Sequence, residues 1–559
     1  MVDMTANTVR SAQRVVETLS AFGIQYIFGI AGGKIDAVFD ALLDSDLEVV
    51  VCRHEQNAAF MAAAVGRLTG TPGVALVTSG PGTTNLATGL VTATTEQDPM
   101  VAICGAVARA DRLKRTHQTM DAVAALKPFT KFTGEVDDPD NVAETIANAI
   151  RAATTAPRGA AAVVLPADVA AASTAVVIAH PAWISALGPA PVGQIDQAAK
   201  LIRSASQPVL FAGARAGDPA SCAALRALLA ATELPVVETF QAAGLVSREL
   251  EDHFIGRVGL FRNQPGDILM AHADVVVAVG YDPVEYDPRM WNSDPGRVLI
   301  HIDELAADMD AHYQPTLELR GDIAATVTGL TSRLSGWRPT DAARAAAAEQ
   351  RAALLRIDEE ARRQPETKLG LNPAALVLKI RELVNDDATI ACDIGSNYIY
   401  MARHFRVYEP RRLLFSDGQQ TLGVGLPWAM AAAMVRPGTQ VVSVSGDGGF
   451  LFSAQELETA SRLGLSFTHV VLRDNAYNMV AFQEVMKYGR ESGVQLGGYD
   501  IPHYAAAFGA TGIRVTSMYE FENAFQKSLT EPGITILDVQ VDYSHTIDLY
   551  AQLHEGVLN

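Results

Sequence analysis

Residues 441–479 read VVSVSGDGGFLFSAQELETASRLGLSFTHVVLRDNAYNM. They open on an apolar, β-branched run of strand character, break at GDGG, continue through an amphipathic helix and return to a second strand, THVVL. Asp447 therefore sits at the carboxyl end of a strand, on a glycine turn just ahead of a helix. In open parallel sheets ligands bind at that edge, and Gly446, Gly448 and Gly449 let the backbone approach a phosphate closely. Asn475 closes the second strand one strand–helix–strand length later, which puts both side chains on the same edge of the sheet. A carboxylate and an amide oxygen brought together there suit a hard divalent cation, magnesium carrying diphosphate oxygens. A bare GDG would be no more than a turn with an N-cap aspartate; the helix behind it and the spaced asparagine favour the ligand reading.

The same alternation extends outward in both directions. Around this stretch, ATIACDIG, RLLFSD and ITILDVQV add strands separated by helical spacers, so 366–559 reads as one parallel-sheet unit opened by the helix LNPAALVLKIRELV. A charged, Ala-rich helix over 340–363 connects it to a central unit, 193–338, with strands at PVLFAG, LPVVET, DVVVAVG and VLIHID. Its turn FAGARAG has glycines only at 213 and 217, too few for a dinucleotide fingerprint, so a plain strand-to-helix turn is expected. Residues 171–192 are rich in Ala and Pro and read as a linker. The first unit, 1–172, carries strands at IQYIFGI, LEVVVC, VALVTSGPG, MVAICGAV and AAVVLP, with an Ala-rich helix NAAFMAAAVGRLTG closed by Gly70. The fold class is thus α/β, three doubly wound parallel-sheet domains. VALVTSGPG and VVSVSGDGG share a strand followed by Ser-Gly-x-Gly, a hint that the two outer domains are built alike.

Composition narrows the function. With 559 residues, 49% hydrophobic and 19% charged, each domain can bury a substantial core. The net charge of −19, with no Lys/Arg cluster to offset it, disfavours nucleic acid and anionic membranes as partners. MVDMTANTVR has no signal-peptide pattern and no apolar run reaches the length of a membrane span, so a cytoplasmic protein is expected. Cys52, Cys104, Cys222 and Cys392 lack CxxC spacing and are expected to be reduced core residues.

The spacing of GDG and a downstream Asn resembles the binding motif of thiamine-diphosphate enzymes. That resemblance implies that Asp447, Asn475 and the carbonyl of Tyr477 hold Mg2+, with Asp474 standing where the family has Asn. CRHEQNAAFMAAAVGR and TSGPGTTN resemble the place where such enzymes carry a catalytic glutamate, which carries over to Glu55. Read locally, Glu55 is only a carboxylate at a helix start; in the family it hydrogen-bonds the aminopyrimidine ring of the cofactor and drives removal of the thiazolium proton. The resemblance further implies cofactor contacts from Gly32, Gly80, Asn85, Asn478, Met479 and Tyr543, and from Gly395, Ser396 and Asn397 in DIGSNY. In SDGQQTLGVGLPWA it assigns Gln420 to the pocket and Leu422 to the apolar wedge beneath the cofactor. The family places the pyrimidine on one subunit and the diphosphate on its partner, implying a homodimer as the minimal active unit, a homotetramer as the expected assembly, and an inactive monomer.

Within this superfamily FGIAGGKIDAVFD, HQTMDAVA, RVGLFRNQPGD, GYDPVEYDPRMWNS and DNAYNMVAFQE look like the catabolic, flavin-independent acetolactate synthases. The branch implies decarboxylation of pyruvate and transfer of the two-carbon unit to a second pyruvate, giving 2-acetolactate on a route to acetoin, without FAD. Lys34 matches the family's active-site lysine and suits a pyruvate carboxylate. Gln483 stands where flavin-containing relatives have a Trp that favours 2-ketobutyrate, which argues for pyruvate as acceptor, and Gln118 matches another pocket position. Arg257 and Arg262 are further candidates for positive charge. Ala31, in place of a Pro, and Phe482, in place of a smaller residue, are departures near the expected acceptor pocket. Alternatives are a related thiamine-diphosphate decarboxylase or carboligase, a nucleotide-dependent oxidoreductase using the central domain, or a silent relative. The last would have lost Glu55, Asp447 or Asn475.

Overall fold

Three six-stranded sheets, all of whose neighbouring strands run parallel, carry the chain. The computed structural model describes residues 8–182, 186–259, 262–294, 296–547 and 549–550. Residues 1–7, read above for a signal peptide, Leu260 and Phe261 of RVGLFRNQPGD, and 183–185 of the expected linker lie outside the described residues. Two compact units result, one of 1–184, 418–438 and 451–466, the other of 185–417, 439–450 and 467–559.

The first unit begins with β1 (Val9–Arg10), followed by β2 (Tyr26–Ile30), β3 (Glu48–Val51), β4 (Gly73–Val77), β5 (Met100–Ala106), β6 (Phe132–Glu135) and β7 (Ala160–Pro166). β2 to β7 lie in the order β3-β2-β4-β5-β7-β6. β1 pairs antiparallel with β8 (Ser173–Thr174), so the start of the expected linker is tied back to the domain. One face of this sheet is covered by Ile27, Val74, Leu76, Val101, Ile103 and Val163, with Val15, Leu19 and Ile146 of the flanking helices against them. The helix Glu55–Thr69 ends at Gly70, whose left-handed φ of 84° is the expected glycine cap. Its Ala-rich sequence follows from close packing: a Cβ on Gly66 would lie 1.9 Å from the carbonyl oxygen of Pro99.

The second unit holds both remaining sheets. In the central domain β9 (Pro208–Ala212), β10 (Val236–Glu238), β11 (Phe254–Arg257), β12 (Val275–Val279), β13 (Val298–Asp303) and β14 (Leu317–Arg320) take the order β11-β10-β9-β12-β13-β14. The helix Asp341–Arg363 is the expected connector. The last domain has β15 (Thr389–Cys392), β16 (Leu413–Leu414), β17 (Val441–Gly446), β18 (Phe467–Arg473), β19 (Thr511–Val515) and β20 (Ile534–Gln540), in the order β16-β15-β17-β18-β20-β19.

Numbered within their own sheets, the strands of the first and last domains follow one order, 2-1-3-4-6-5, whereas the central sheet follows 3-2-1-4-5-6. The likeness expected from the shared Ser-Gly-x-Gly is therefore a likeness of topology. In both outer sheets that motif ends the third strand, beside the first, where the winding direction reverses and a ligand crevice opens.

Candidate active site

In the first unit that crevice is bounded by Gly32 after β2 and Gly80 after β4. Gly80 has φ +64°, and a Cβ there would stand 3.1 Å from the Gln118 side chain. Gln118 itself has φ +61°, and its Oε1 accepts the Ser79 hydroxyl at 2.9 Å. A Cβ on Gly32 would strike Thr78 at 2.6 Å, so both turns are open only because they are glycine. Lys34 is half-buried, and among the described residues its ammonium makes no ion pair or hydrogen bond. Glu55 opens the helix after β3, where the helix dipole favours its charge. Asn85 donates to Glu55 Oε2 at 2.9 Å, and the other oxygen borders Gly82, whose Cβ would stand 3.4 Å away. His54 caps the helix, its ring nitrogen accepting the Gln56 N–H. Gln420 and Leu422, expected within the last domain's cradle, belong to this first compact unit, anchored there by the Thr421–Thr92 hydroxyl pair at 2.8 Å.

In the second unit the crevice lies between the ends of β15 and β17. Asp447 is buried; its Oδ1 accepts the Gly448 N–H at 2.9 Å and its Oδ2 the Asn475 N–H at 2.7 Å. The two residues read from the sequence as partners are thus in contact across neighbouring strand ends. Asn475 holds φ +61°, a left-handed conformation that asparagine tolerates, and among the described residues its side-chain amide has no hydrogen bond. The Tyr477 carbonyl accepts N–H groups of Val480 and Ala481, both at 3.0 Å, at the head of the next helix. Burial raises the Asp447 carboxyl above its ordinary value against these N–H bonds. Asp474 is pushed up to about 7, by burial and then by the Asp447 carboxylate.

The surroundings fit a diphosphate and its cation. Gly395, at φ +141°, leads into the helix Ser396–His404, whose first N–H groups come from Ser396 and Asn397. Asn397 Nδ2 donates to the Asp393 carbonyl at 2.7 Å, while its buried Oδ1 has no partner and faces Gly395 and Gly446. A Cβ on Gly448 would meet the Tyr477 ring at 2.6 Å, and one on Gly449 would meet Asp393 at 2.7 Å. Ser396 Oγ donates to Asn478 Oδ1 at 2.7 Å, tying this helix to the stretch Asn478–Met479. The carboxylate and the unpartnered amide form a hard oxygen set of the kind Mg2+ takes. Tyr543 stacks on Tyr400 at 6.0 Å; Gln483 donates to the Tyr550 hydroxyl at 3.3 Å. Phe482 is buried against Tyr550, whereas Ala31 is an exposed residue of the other unit.

The expectation of available charge does not hold for Arg257. Arg257 is buried, pairs with Glu238 at 2.9 Å and donates to the Ala402 and Phe405 carbonyls, both at 3.0 Å. Arg262 donates to the Met290 carbonyl. The central turn FAGARAG is closed by its own protein: Glu285 accepts the Ala214 N–H and the Thr239 hydroxyl, and Arg215 pairs with Asp282 and Asp303. Sequence reading also missed Glu456, inside the opening stretch, where only helix periodicity was visible.

The chain matches three family models. They are described as thiamine pyrophosphate enzyme, N-terminal TPP binding domain (residues 9–125), central domain (195–330) and C-terminal TPP binding domain (393–539). It is 50% identical over 546 residues to a Bacillus subtilis (strain 168) protein named acetolactate synthase, covering 97% of this chain and 94% of that one. It is 43% identical over 550 residues to "acetolactate synthase, catabolic" of Raoultella terrigena, covering 97% of each. With the acetolactate synthase isozyme 2 large subunit of Escherichia coli (strain K12) it shares 30% identity over 547 residues, 96% of each.

Proposed function

The chain belongs to the thiamine pyrophosphate enzymes, among the acetolactate synthases, and on that premise we propose that it converts two pyruvates into 2-acetolactate and CO2. The observation that carries the reading is the pairing of Asp447 with Asn475 at one crevice while the matching crevice of the first domain presents Glu55 held by Asn85. Thiamine diphosphate, when bound, supplies a nucleophilic carbon and an electron sink. Asp447, the Asn475 amide and the Tyr477 carbonyl would hold its Mg2+, and Gly395, Ser396, Asn397, Gly448, Gly449 and Asn478 its diphosphate. Glu55 exchanges a proton at the aminopyrimidine nitrogen through the oxygen Asn85 leaves open. Lys34 draws a substrate carboxylate, and Gln118 and Gln483 orient it. One carbon–carbon bond breaks as CO2 leaves, one forms to the ketone carbon of the second pyruvate, and one proton is taken up. Leu422 would wedge beneath the cofactor, and water must be kept from the reacting carbon, since its protonation leads to acetaldehyde instead.

The pyrimidine-side residues of one subunit would serve the diphosphate-side residues of its partner, making a homodimer the smallest active form and a homotetramer the expected assembly. The plugged central turn supports operation without FAD. Four buried free thiols support a cytoplasmic setting. The test is an assay of purified protein with pyruvate, Mg2+ and thiamine diphosphate. Acetolactate without a flavin spectrum is expected, and Glu55→Gln should lower turnover about 10²–10⁴-fold. Acetaldehyde without acetolactate, or a Glu55→Gln variant of normal rate, overturns the reading.

A further inference from the structure

Glu456 is fully buried, and it does not belong to either crevice. It lies 403 residues after Arg53, yet both are part of the first compact unit. Its Oε1 accepts the backbone N–H of Arg53 at 2.9 Å, the backbone N–H of His54 at 3.1 Å and the Asn57 amide at 3.0 Å. Its Oε2 takes the Thr459 hydroxyl at 2.7 Å. The three N–H groups can only donate, so the turn that precedes Glu55 needs an acceptor at this point. Among the described residues these three groups have no other acceptor. The neighbouring contacts run the same way: Arg53 pairs with Glu458 at 3.3 Å, and Arg462 donates to the Val51 carbonyl. A single side chain thus fixes residues 53, 54 and 57, on both sides of Glu55.

We propose that Glu456 is a positioning residue for Glu55. It locks the height and direction of the first turn of the Glu55–Thr69 helix, so that Glu55 Oε2 meets Asn85 and Oε1 stays available for proton exchange. This rests on the reading of Glu55 as the proton-exchanging carboxylate. Removing the acceptor lets the turn drift, and a displacement of about 1 Å at a catalytic group lowers turnover about 10²-fold. Apart from the Glu55 contact with the pyrimidine, the groups proposed to hold the cofactor's diphosphate and the pyruvate carboxylate lie outside this turn, so most of the binding is expected to survive its displacement.

The test compares Glu456→Ala, Glu456→Asp and Glu456→Gln in the full-length holoenzyme. The alanine variant should lose about 10²-fold in kcat, with the thiamine diphosphate Kd and pyruvate KM changed little. In cofactor-free protein its amides over 53–57 should exchange hydrogen faster by mass spectrometry. Gln keeps an acceptor oxygen for the turn and an N–H for Thr459, so it should retain most of the turnover. Asp keeps the charge but falls short of the donors, and it carries the test if the alanine variant does not fold. Normal kcat in the alanine variant, or in the aspartate variant if the former is unfolded, overturns the proposal, as does a loss lying wholly in KM or Kd. If Glu55→Gln turns over normally, it is the reading of Glu55 that fails; an inactive Glu55→Gln beside a normal Glu456→Ala removes Glu456 alone.

Discussion

Glu285 and Asp267 are buried acids of the central domain that take no part in the proposed chemistry. Burial pushes Glu285 up to about 8, against the Thr239 hydroxyl and the Ala214 N–H, and Asp267 up to about 7, against the Tyr286 hydroxyl. In the unfolded chain both ionise near the ordinary carboxylate value. The folded protein therefore holds protons that the unfolded chain has released. The stability these groups contribute is complete below that value and is lost as pH rises through 7 and 8. Each contributes a slope of about 1.4 kcal/mol per pH unit in that window. Glu285→Gln, neutral at every pH, should flatten the fall of denaturation midpoint between pH 5 and 8, measured in parallel with the parent protein. A parent slope that survives the substitution unchanged would show that Glu285 is ionised in the fold. At this scale the sequence disclosed the residues whose neighbours are local: Asp447 by its glycines and Glu55 by its helix start. It concealed Glu456 and Arg257, because the groups that define them arrive from distant segments.

The expected strands are present, and apart from the two-residue pair β1 and β8, the four the sequence did not reveal share one property. β6, β11, β14 and β19 each lie at a sheet edge. A strand buried on both faces must be a continuous apolar run, as VVVAV of β12 is, whereas an edge strand has fewer apolar neighbours and tolerates Gly, Glu and Arg. FTGE, LELR and TGIRV accordingly lack the continuous apolar run that marks a strand. FIGR is buried throughout but has only four residues, two of them Gly and Arg. Helices were easier, since capping glycines and apolar periodicity are local signals. The Glu55–Thr69 helix allows a prediction with opposing contributions. Gly66→Ala gains about 1 kcal/mol of helix propensity, but its Cβ would stand 1.9 Å from a backbone oxygen that cannot swing away. Overpacking of this kind costs about 1–3 kcal/mol or more. The variant should therefore be less stable than the parent in urea, and a gain would mean that Pro99 yields.

For the whole molecule, the proposed division of the site between subunits predicts complementation. Glu55→Gln and Asp447→Ala should each be inactive as pure preparations, and Asp447→Ala should also lose Mg2+-dependent cofactor binding by calorimetry. Unfolded together and refolded, they form mixed dimers in which one site carries both substitutions and the other neither, so about a quarter of parental activity should return. No recovery on mixing would place all of a site's residues within one chain.

The first compact unit is completed only by 418–438 and 451–466. A ribosome making this protein must therefore release most of the polypeptide before that unit can be completed. Until Glu456 emerges, the nascent turn around Glu55 carries donors without a receiver. Early chain release or a stalled message would leave an unfinished domain for chaperones to hold, and an expression clone ending after the first domain would make poor material.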